Sequence, residues 1–256
     1  LTDSRLEVAG LTVLDPFGTV LVNDVSFEVR GGEVLAIAGV QGNGQTELTE
    51  ALLGMQSQVR GSITLNGREL VGQSIRRILD AGVGFVPEDR NEDGLVGDFT
   101  IAENLMLDRS DGAPFVKGGN LQRGYLAEFA REKFDEFDVR APGIDTHVGQ
   151  LSGGNQQKVV IAREMSRDLT LLVAAQPTRG VDVGSIEFIH KRIIETRDAG
   201  IPVVVVSTEL DEVAALADRI MVMYRGRIVG IVPGDTARET LGLMMAGESP
   251  TEGAAA

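Results

Sequence analysis

An unbroken apolar run, Val34 to Ala38, feeds directly into the string "GVQGNGQT" at Gly39 to Thr46, and "TELTEALLGM" continues with apolar residues at helical spacing. A strand that delivers a glycine-rich turn to the start of a helix leaves few architectures open. The glycines let successive backbone N–H groups converge, and the helix end adds partial positive charge, so the combination suits an anion. The string fits the phosphate-loop pattern G-x-x-x-x-G-K-[ST] at Gly39, Gly44 and Thr46. Val40, Gln41, Gly42 and Asn43 fill the variable places, and Gln45 stands where the pattern has lysine. The expectation is a phosphate cradle over Gly39–Thr46, with the Thr46 hydroxyl as a candidate Mg²⁺ contact.

Ahead of the loop, "LEVAGLTVL" and "VSFEV" alternate with turns, and "GSITLNGREL" adds a strand pair around Asn66-Gly67. From about residue 98 to 165 the chain turns helical and polar, with "YLAEFAREKFDEF" as its clearest amphipathic piece. Strand-like runs return at "LTLLVAA" and "IPVVVVS", separated by a helix in which Ile186, Ile189, Ile193 and Ile194 share a face and Gly200 supplies the stop. A last hairpin, "RIMVMYRGRIVGIV", turns at Arg225 and Gly226. Strands alternating with helices predict an α/β fold, a parallel sheet flanked by helices. An antiparallel β-subdomain is expected within residues 5–75, a helical subdomain over 98–165, and a mononucleotide-binding core from the remainder of 1–246. The tail 247–256 is expected to be disordered.

Composition narrows the function classes. No run approaches the ~20 apolar residues that cross a bilayer, so any membrane role is expected to be peripheral. The chain has no cysteine, which excludes disulfides and thiolate metal sites. Its formal charge of −14 would repel a polyanion, and no basic cluster offsets it, so nucleic acid is not an expected partner. The first residue is Leu1 and not Met, which suggests a processed chain or part of a longer polypeptide.

"LSGGNQQK" at Leu151–Lys158 decides among the remaining possibilities. It resembles the signature motif of the ATP-binding-cassette (ABC) family, and other segments fall in the family's order along nearly the whole chain. The glycine loop comes first, then "FVPED" at the Q-loop, the signature, "LLVAAQPTRGVD" at the Walker B strand and D-loop, and "VVVVSTELDEV" at the switch-histidine segment. The resemblance implies the P-loop NTPase core of an ABC ATPase, ATP as ligand with Mg²⁺ as a candidate companion, and two such domains packed head to tail. Each ATP would then lie between one domain's loop and the other's signature. Here that signature comprises Leu151, Ser152, Gly153, Gly154, Asn155 and Gln156, and the D-loop supplies Asp182. Asn155 stands where glutamine is commoner, as in sugar-type importers. Phe17 lies where the family often stacks an aromatic ring on adenine; an ordinary strand-end core position is the alternative for it.

Checked against the family, the residues that would serve the site in cis depart together. Gln45 removes the lysine, Glu88 replaces the Q-loop glutamine, Ala175 the Walker B aspartate, Gln176 the catalytic glutamate and Thr208 the switch histidine. Losing a charge-assisted bond to phosphate costs about 1.5–3 kcal/mol, and losing a general base about 10²–10⁴ in rate. No catalytic residue is therefore expected in cis, while weak nucleotide binding through the backbone cradle remains. The two histidines, His147 and His190, do not align with the switch, and His190 is expected at the surface or core edge.

The strings "LSGGNQQK", "QPTRGVDVGSIEFIH" and "VPEDRNEDGL" look like the second, degenerate ATP-binding half of bacterial importers for simple sugars or purine nucleosides. That resemblance implies a first ATP-binding half on the same polypeptide, membrane permeases engaged through a coupling helix, a substrate-capturing lipoprotein acting indirectly, and a place on the cytoplasmic face of the plasma membrane. Two other readings stay open: a slow but active ATPase working as a homodimer, and a nucleotide sensor or scaffold outside transport.

Overall fold

Val34–Ala38 is fully buried, and its alternate residues serve two different cores. Leu35 and Ile37 join a cluster with Leu48 and Leu52 of the following helix and with Leu6, Leu11 and Ile63. Ala36 and Ala38 face the opposite cluster of Val213, Ile220, Val222, Leu241 and Met244. A strand covered on both faces must be apolar throughout, which explains the unbroken run. Truncating Leu35 or Ile37 to alanine would cost about 2–5 kcal/mol.

This computed structural model describes residues 1–249; residues 250–256 of the expected tail lie outside the described residues. Gly247 and Glu248 close the last helix, Arg238–Met245, by donating to the Met244 and Leu243 carbonyls. Two compact units are present. The first joins Leu1–Phe85, Leu169–Gln176 and the chain from His190 onward; the second joins Val86–Asp168 with Pro177–Ile189.

A six-stranded sheet, all but its last residue in the first unit, runs in the order Arg227–Pro233, Arg219–Tyr224, Val34–Ala38, Val203–Val206, Leu171–Ala175, Val83–Val86. Val34–Ala38 is parallel to Val203–Val206 and to Arg219–Tyr224, and Val203–Val206 is parallel to Leu171–Ala175. The sheet is nonetheless mixed, because the hairpin adds an antiparallel edge, its turn at Arg225 and Gly226 both having positive φ (49° and 76°). Two such residues form the turn whose twist matches paired strands. A four-stranded antiparallel sheet packs in the same unit: Val20–Arg30, Arg5–Leu14, Val59–Leu65, Arg68–Glu69. Its tight turn is Asn66-Gly67, with φ 50° and 80°.

The second unit is mainly helical. Ile101–Leu105 starts with a capping box between Thr100 and Glu103, and Arg123–Glu136 and Gly153–Met165 follow. Between the first two helices lies a short hairpin, Val116–Lys117 with Asn120–Leu121, where only helix was expected. Phe115 beside it is buried and packs edge-on against Tyr125 and Phe129 at 5.2 and 5.0 Å. In the helix Val183–Asp198, Ser185, Ile189 and Ile193 form the buried stripe, four residues apart, while Ile186 and Ile194 flank it half-buried.

Candidate functional site

The glycine loop joins the C-terminal end of Val34–Ala38 to the helix Gln45–Leu52. Gly42 and Gly44 have φ of 89° and 98°, and a Cβ on Gly44 would press to 2.7 Å of the Leu21 carbonyl, so glycine is required there. The loop is anchored from outside by the hairpin turn. Asn43 accepts the Arg225 N–H at its side-chain oxygen (2.8 Å) and the Gly226 N–H at its carbonyl (3.0 Å).

Gln45 does not point away from this loop; it closes it. Only 6% exposed, its amide nitrogen donates to the Val40 carbonyl (3.0 Å) and its Oε1 accepts the Asn43 N–H (2.9 Å). A lysine could perform the first task but not the second, having no acceptor. The Gln45 amide lies so close that a Cβ on Gly39 would stand 2.5 Å from its nitrogen.

Ala175 and Gln176 lie at the C-terminal end of Leu171–Ala175, and Thr208 follows Val203–Val206. In open α/β sheets, ligands gather at such carboxyl ends of parallel strands. Gln176 is 6% exposed with φ 47°; its N–H donates to the Val206 carbonyl at 2.7 Å, and its Oε1 accepts the Thr208 N–H at 3.3 Å. The first unit thus sets Gln45, Thr46, Ala175, Gln176 and Thr208 at the carboxyl-terminal side of adjacent parallel strands. An amide here is already engaged with backbone and has no base strength at neutral pH.

These groups meet ATP and Mg²⁺ unequally. The Asn43 N–H, a donor that could meet a phosphate oxygen, is already engaged by Gln45 Oε1, which a phosphate would have to displace. A divalent cation fits less well. Thr46 brings a hydroxyl, but Ala175 brings a methyl group, and among the described residues no grouping of His, Asp or Glu could hold a metal ion. Phe17 is 94% exposed at the tip of a turn whose Asp15 carboxylate accepts the N–H groups of Phe17 and Thr19, both at 2.8 Å. That rules out the strand-end core alternative for Phe17. His190, half-buried, pairs with Glu212 at 2.8 Å.

The second unit builds the signature on the start of Gly153–Met165, a helix of 13 residues. Ser152 is its N-cap, exposed, with its hydroxyl accepting the Asn155 N–H (3.3 Å) and side-chain amide (3.0 Å). Asn155 in turn accepts the Arg140 N–H at 2.9 Å. Leu151 is half-buried before the cap, and Gln156 donates to the Val148 carbonyl at 3.0 Å.

Both signature glycines carry a packing duty as well. A Cβ on Gly153 would collide with the Gly180 carbonyl and crowd Arg90 Nη2 to 2.5 Å; one on Gly154 would collide with the Asp182 carboxylate and the Ser185 hydroxyl. Asp182 accepts the Ser185 N–H at 3.1 Å. Hydrogen bonds from the Ser185 side chain first, then from its backbone, hold the Asp182 carboxyl below its ordinary pKa, so it is ionised at neutral pH.

Three residues that sequence reasoning passed over complete this arrangement. Arg90 reaches Gln156 Oε1 and the carbonyls of Arg179 and Gly180, Arg179 pairs with Glu88 at 2.7 Å, and Ser185 lies buried under Gly154. Glu88, half-buried, is therefore bound up with "TRG" of the same unit. These partners are remote in sequence, and no periodicity announces them.

Residues 22–179 match the family described as ABC transporter. The guanosine import ATP-binding protein NupO of Bacillus subtilis is 48% identical over 96% of this chain and 49% of its own length. The nucleoside import ATP-binding protein NupA of Lactococcus lactis is 45% identical over 98% of this chain and 50% of its own. The chain thus spans about half the length of these curated relatives. Among solved structures, a dimeric post-hydrolysis ATP-binding cassette bound to ADP and Pi superposes with a TM-score of 0.76 at 20% identity, over 91% of this chain and 100% of that one. A nucleotide-free cassette from an ABC transporter gives 0.75 at 22%, over 91% and 92%. The strand–loop–helix, the signature and the extent of these matches have one reading: the chain belongs to the ABC transporter family, as an ATP-binding domain.

Proposed function

We propose that this chain is the degenerate ATP-binding half of an importer for purine nucleosides or simple sugars, and that its signature completes the competent site of a partner half. The family binds ATP with Mg²⁺. The observation that carries the proposal is the contrast between the two motifs. The loop answers its own donor with Gln45, whereas Ser152 stands exposed at a helix N-terminus with Gly153 and Gly154 built tightly beneath it. Unpaired N–H groups at such an end, with the helix's partial positive charge, suit the γ-phosphate of a nucleotide held by the other half. Asp182, ionised beside Gly154, belongs to the same trans-acting surface.

The substrate class follows the relatives, two of which import nucleosides, while the glucose import ATP-binding protein TsgD13 of Haloferax volcanii is 44% identical over 94% of this chain. Their double length supports a first ATP-binding half on the same polypeptide. Among the described residues no helix is long and apolar enough to cross a membrane. Permease subunits would carry the substrate path and meet this domain through a coupling helix. The domain would sit on the cytoplasmic face, with 98–165 as the helical subdomain and the capturing lipoprotein acting indirectly. Phe17, exposed, would stack on adenine in whatever nucleotide the cis face admits.

The experiment reconstitutes the full-length transporter and introduces Ser152→Arg. ATP turnover and transport should collapse, while Gln45→Ala leaves both within about threefold. Turnover that survives S152R sinks the proposal, and turnover by this half alone, lost with S152R, would favour the homodimeric ATPase.

A further inference from the structure

We propose that Arg90 is a positioning residue that locks the signature helix to the segment leading into Asp182, so that Ser152, Gly153 and Asp182 present themselves as one rigid surface. The inference rests on the trans-acting role given to the signature above.

Arg90 spends three donors on two stretches of chain that have no covalent reason to stay together. Nε donates to Gln156 Oε1 of the signature helix at 3.2 Å; Nη1 donates to the Arg179 carbonyl at 2.8 Å and Nη2 to the Gly180 carbonyl at 3.4 Å. The planar fork makes this possible, since its donors point in fixed, divergent directions. Gly180 has φ 67°, a conformation suited to glycine. Gly153 fits against that same carbonyl only because it lacks a side chain.

Arg90 is itself held firmly. It opens a wide helical turn, Arg90–Gly94, capped by Asp89, whose carboxylate accepts the N–H groups of Asn91 (3.0 Å) and Glu92 (3.1 Å). The far end of that turn is tied to the signature helix again, where Arg163 donates to the Gly94 carbonyl at 2.7 Å. The turn is thus fastened to the helix at residues 156 and 163, about two turns apart. Arg179, one of whose groups Arg90 grips, returns a side-chain contact to Glu88. Every tie converges on the placement of residues 153–156 relative to 179–182. A misplacement of about 1 Å at such a position can cost about a hundredfold in rate.

The test is made in the full-length transporter with Arg90→Lys, Arg90→Met and, as reference, Ser152→Arg. Lysine keeps the charge but offers one point donor; methionine keeps much of the volume and neither charge nor fork. The expected result is a fall in kcat of about 10- to 100-fold for both Arg90 variants, with KM for ATP within about threefold, since the partner holds most of the nucleotide. R90K at the wild-type kcat would show that charge suffices, and R90M at that level would show packing suffices; either overturns the proposal. Hydrogen exchange supplies a readout independent of turnover: amides of 153–156 and 179–182 should exchange faster together, by about tenfold or more, in R90K. Unchanged exchange also overturns it. Should R90M not fold, Gly153→Ala pushes on the same contact and should give the same joint loss of protection. If S152R leaves turnover intact, the trans-acting role fails, and the exchange arm still decides whether Arg90 couples the two segments.

Discussion

The loop face of the first unit and the signature face of the second are both built from glycines at a helix N-terminus, yet they have kept different halves of the same design. In the loop the backbone path is retained and the side chains that would work on phosphate and metal are amides, a methyl group and a hydroxyl. At the signature the fold itself demands the glycines, because a Cβ on Gly153 or Gly154 would collide with Gly180, Asp182 or Ser185. A loop with its own internal acceptor can lose chemistry without losing shape. A signature glycine cannot change without disturbing what lies beneath it.

Four changes would break or sharpen that contrast. Gly153→Asp should act most strongly, cutting turnover of the full-length transporter by about 10²–10³, measured by phosphate release, because its carboxylate repels phosphate and its Cβ collides with the Gly180 carbonyl, displacing a preorganised donor. Removing the Glu33–Arg219 pair comes next, and it tests the loop face as scaffold. Arg219 donates to both oxygens of Glu33 at 2.7 and 3.1 Å, beside the root of Val34–Ala38. Glu33→Gln should cost about 1.5–3 kcal/mol in urea denaturation at pH 7.

The pH dependence has a definite sign. Burial tends to raise the Glu33 pKa, but the hydrogen bond from Arg219 and that from the Arg30 N–H outweigh it and hold the carboxyl below its ordinary 4.5. The stabilisation is therefore complete above that ordinary value and is lost as pH falls through the lower folded-state value, so wild type and E33Q should converge in acid.

Gln45→Lys should tighten binding of a fluorescent ATP analogue by about tenfold, roughly 1.4 kcal/mol, without creating hydrolysis, because Ala175 and Gln176 still lack metal-holding and basic groups. Hydrolysis by Q45K in the isolated half would erase the distinction drawn between the faces. Phe17→Ala is the mildest: at 94% exposure it should move the melting midpoint little, within about 0.5 kcal/mol, while weakening nucleotide binding to the Q45K form.

Much of the fold was legible because it is written in short-range patterns. The buried run before the loop, the Asn66-Gly67 and Arg225-Gly226 turns and the stop at Gly200 each depend on residues within a few places of one another. The hairpin at Val116–Leu121 was legible too, in Gly118-Gly119, whose φ values of 56° and 79° suit such a turn; the polar, helical character of its surroundings outweighed the signal. Gln45 could be seen to lack an ammonium, but not to turn its amide back onto Val40 and Asn43. Arg90 was invisible as a fastening, since its partners lie 66, 89 and 90 residues away. For the signature glycines, the sequence expectation concerned a ligand and was silent on contact with 180–185, because only the folded chain brings those stretches together.

Gln45 has one more consequence. A loop that carries its own acceptor is strutted from within: one side chain, Gln45, spans the turn from Val40 to Asn43 and completes it with the chain's own atoms.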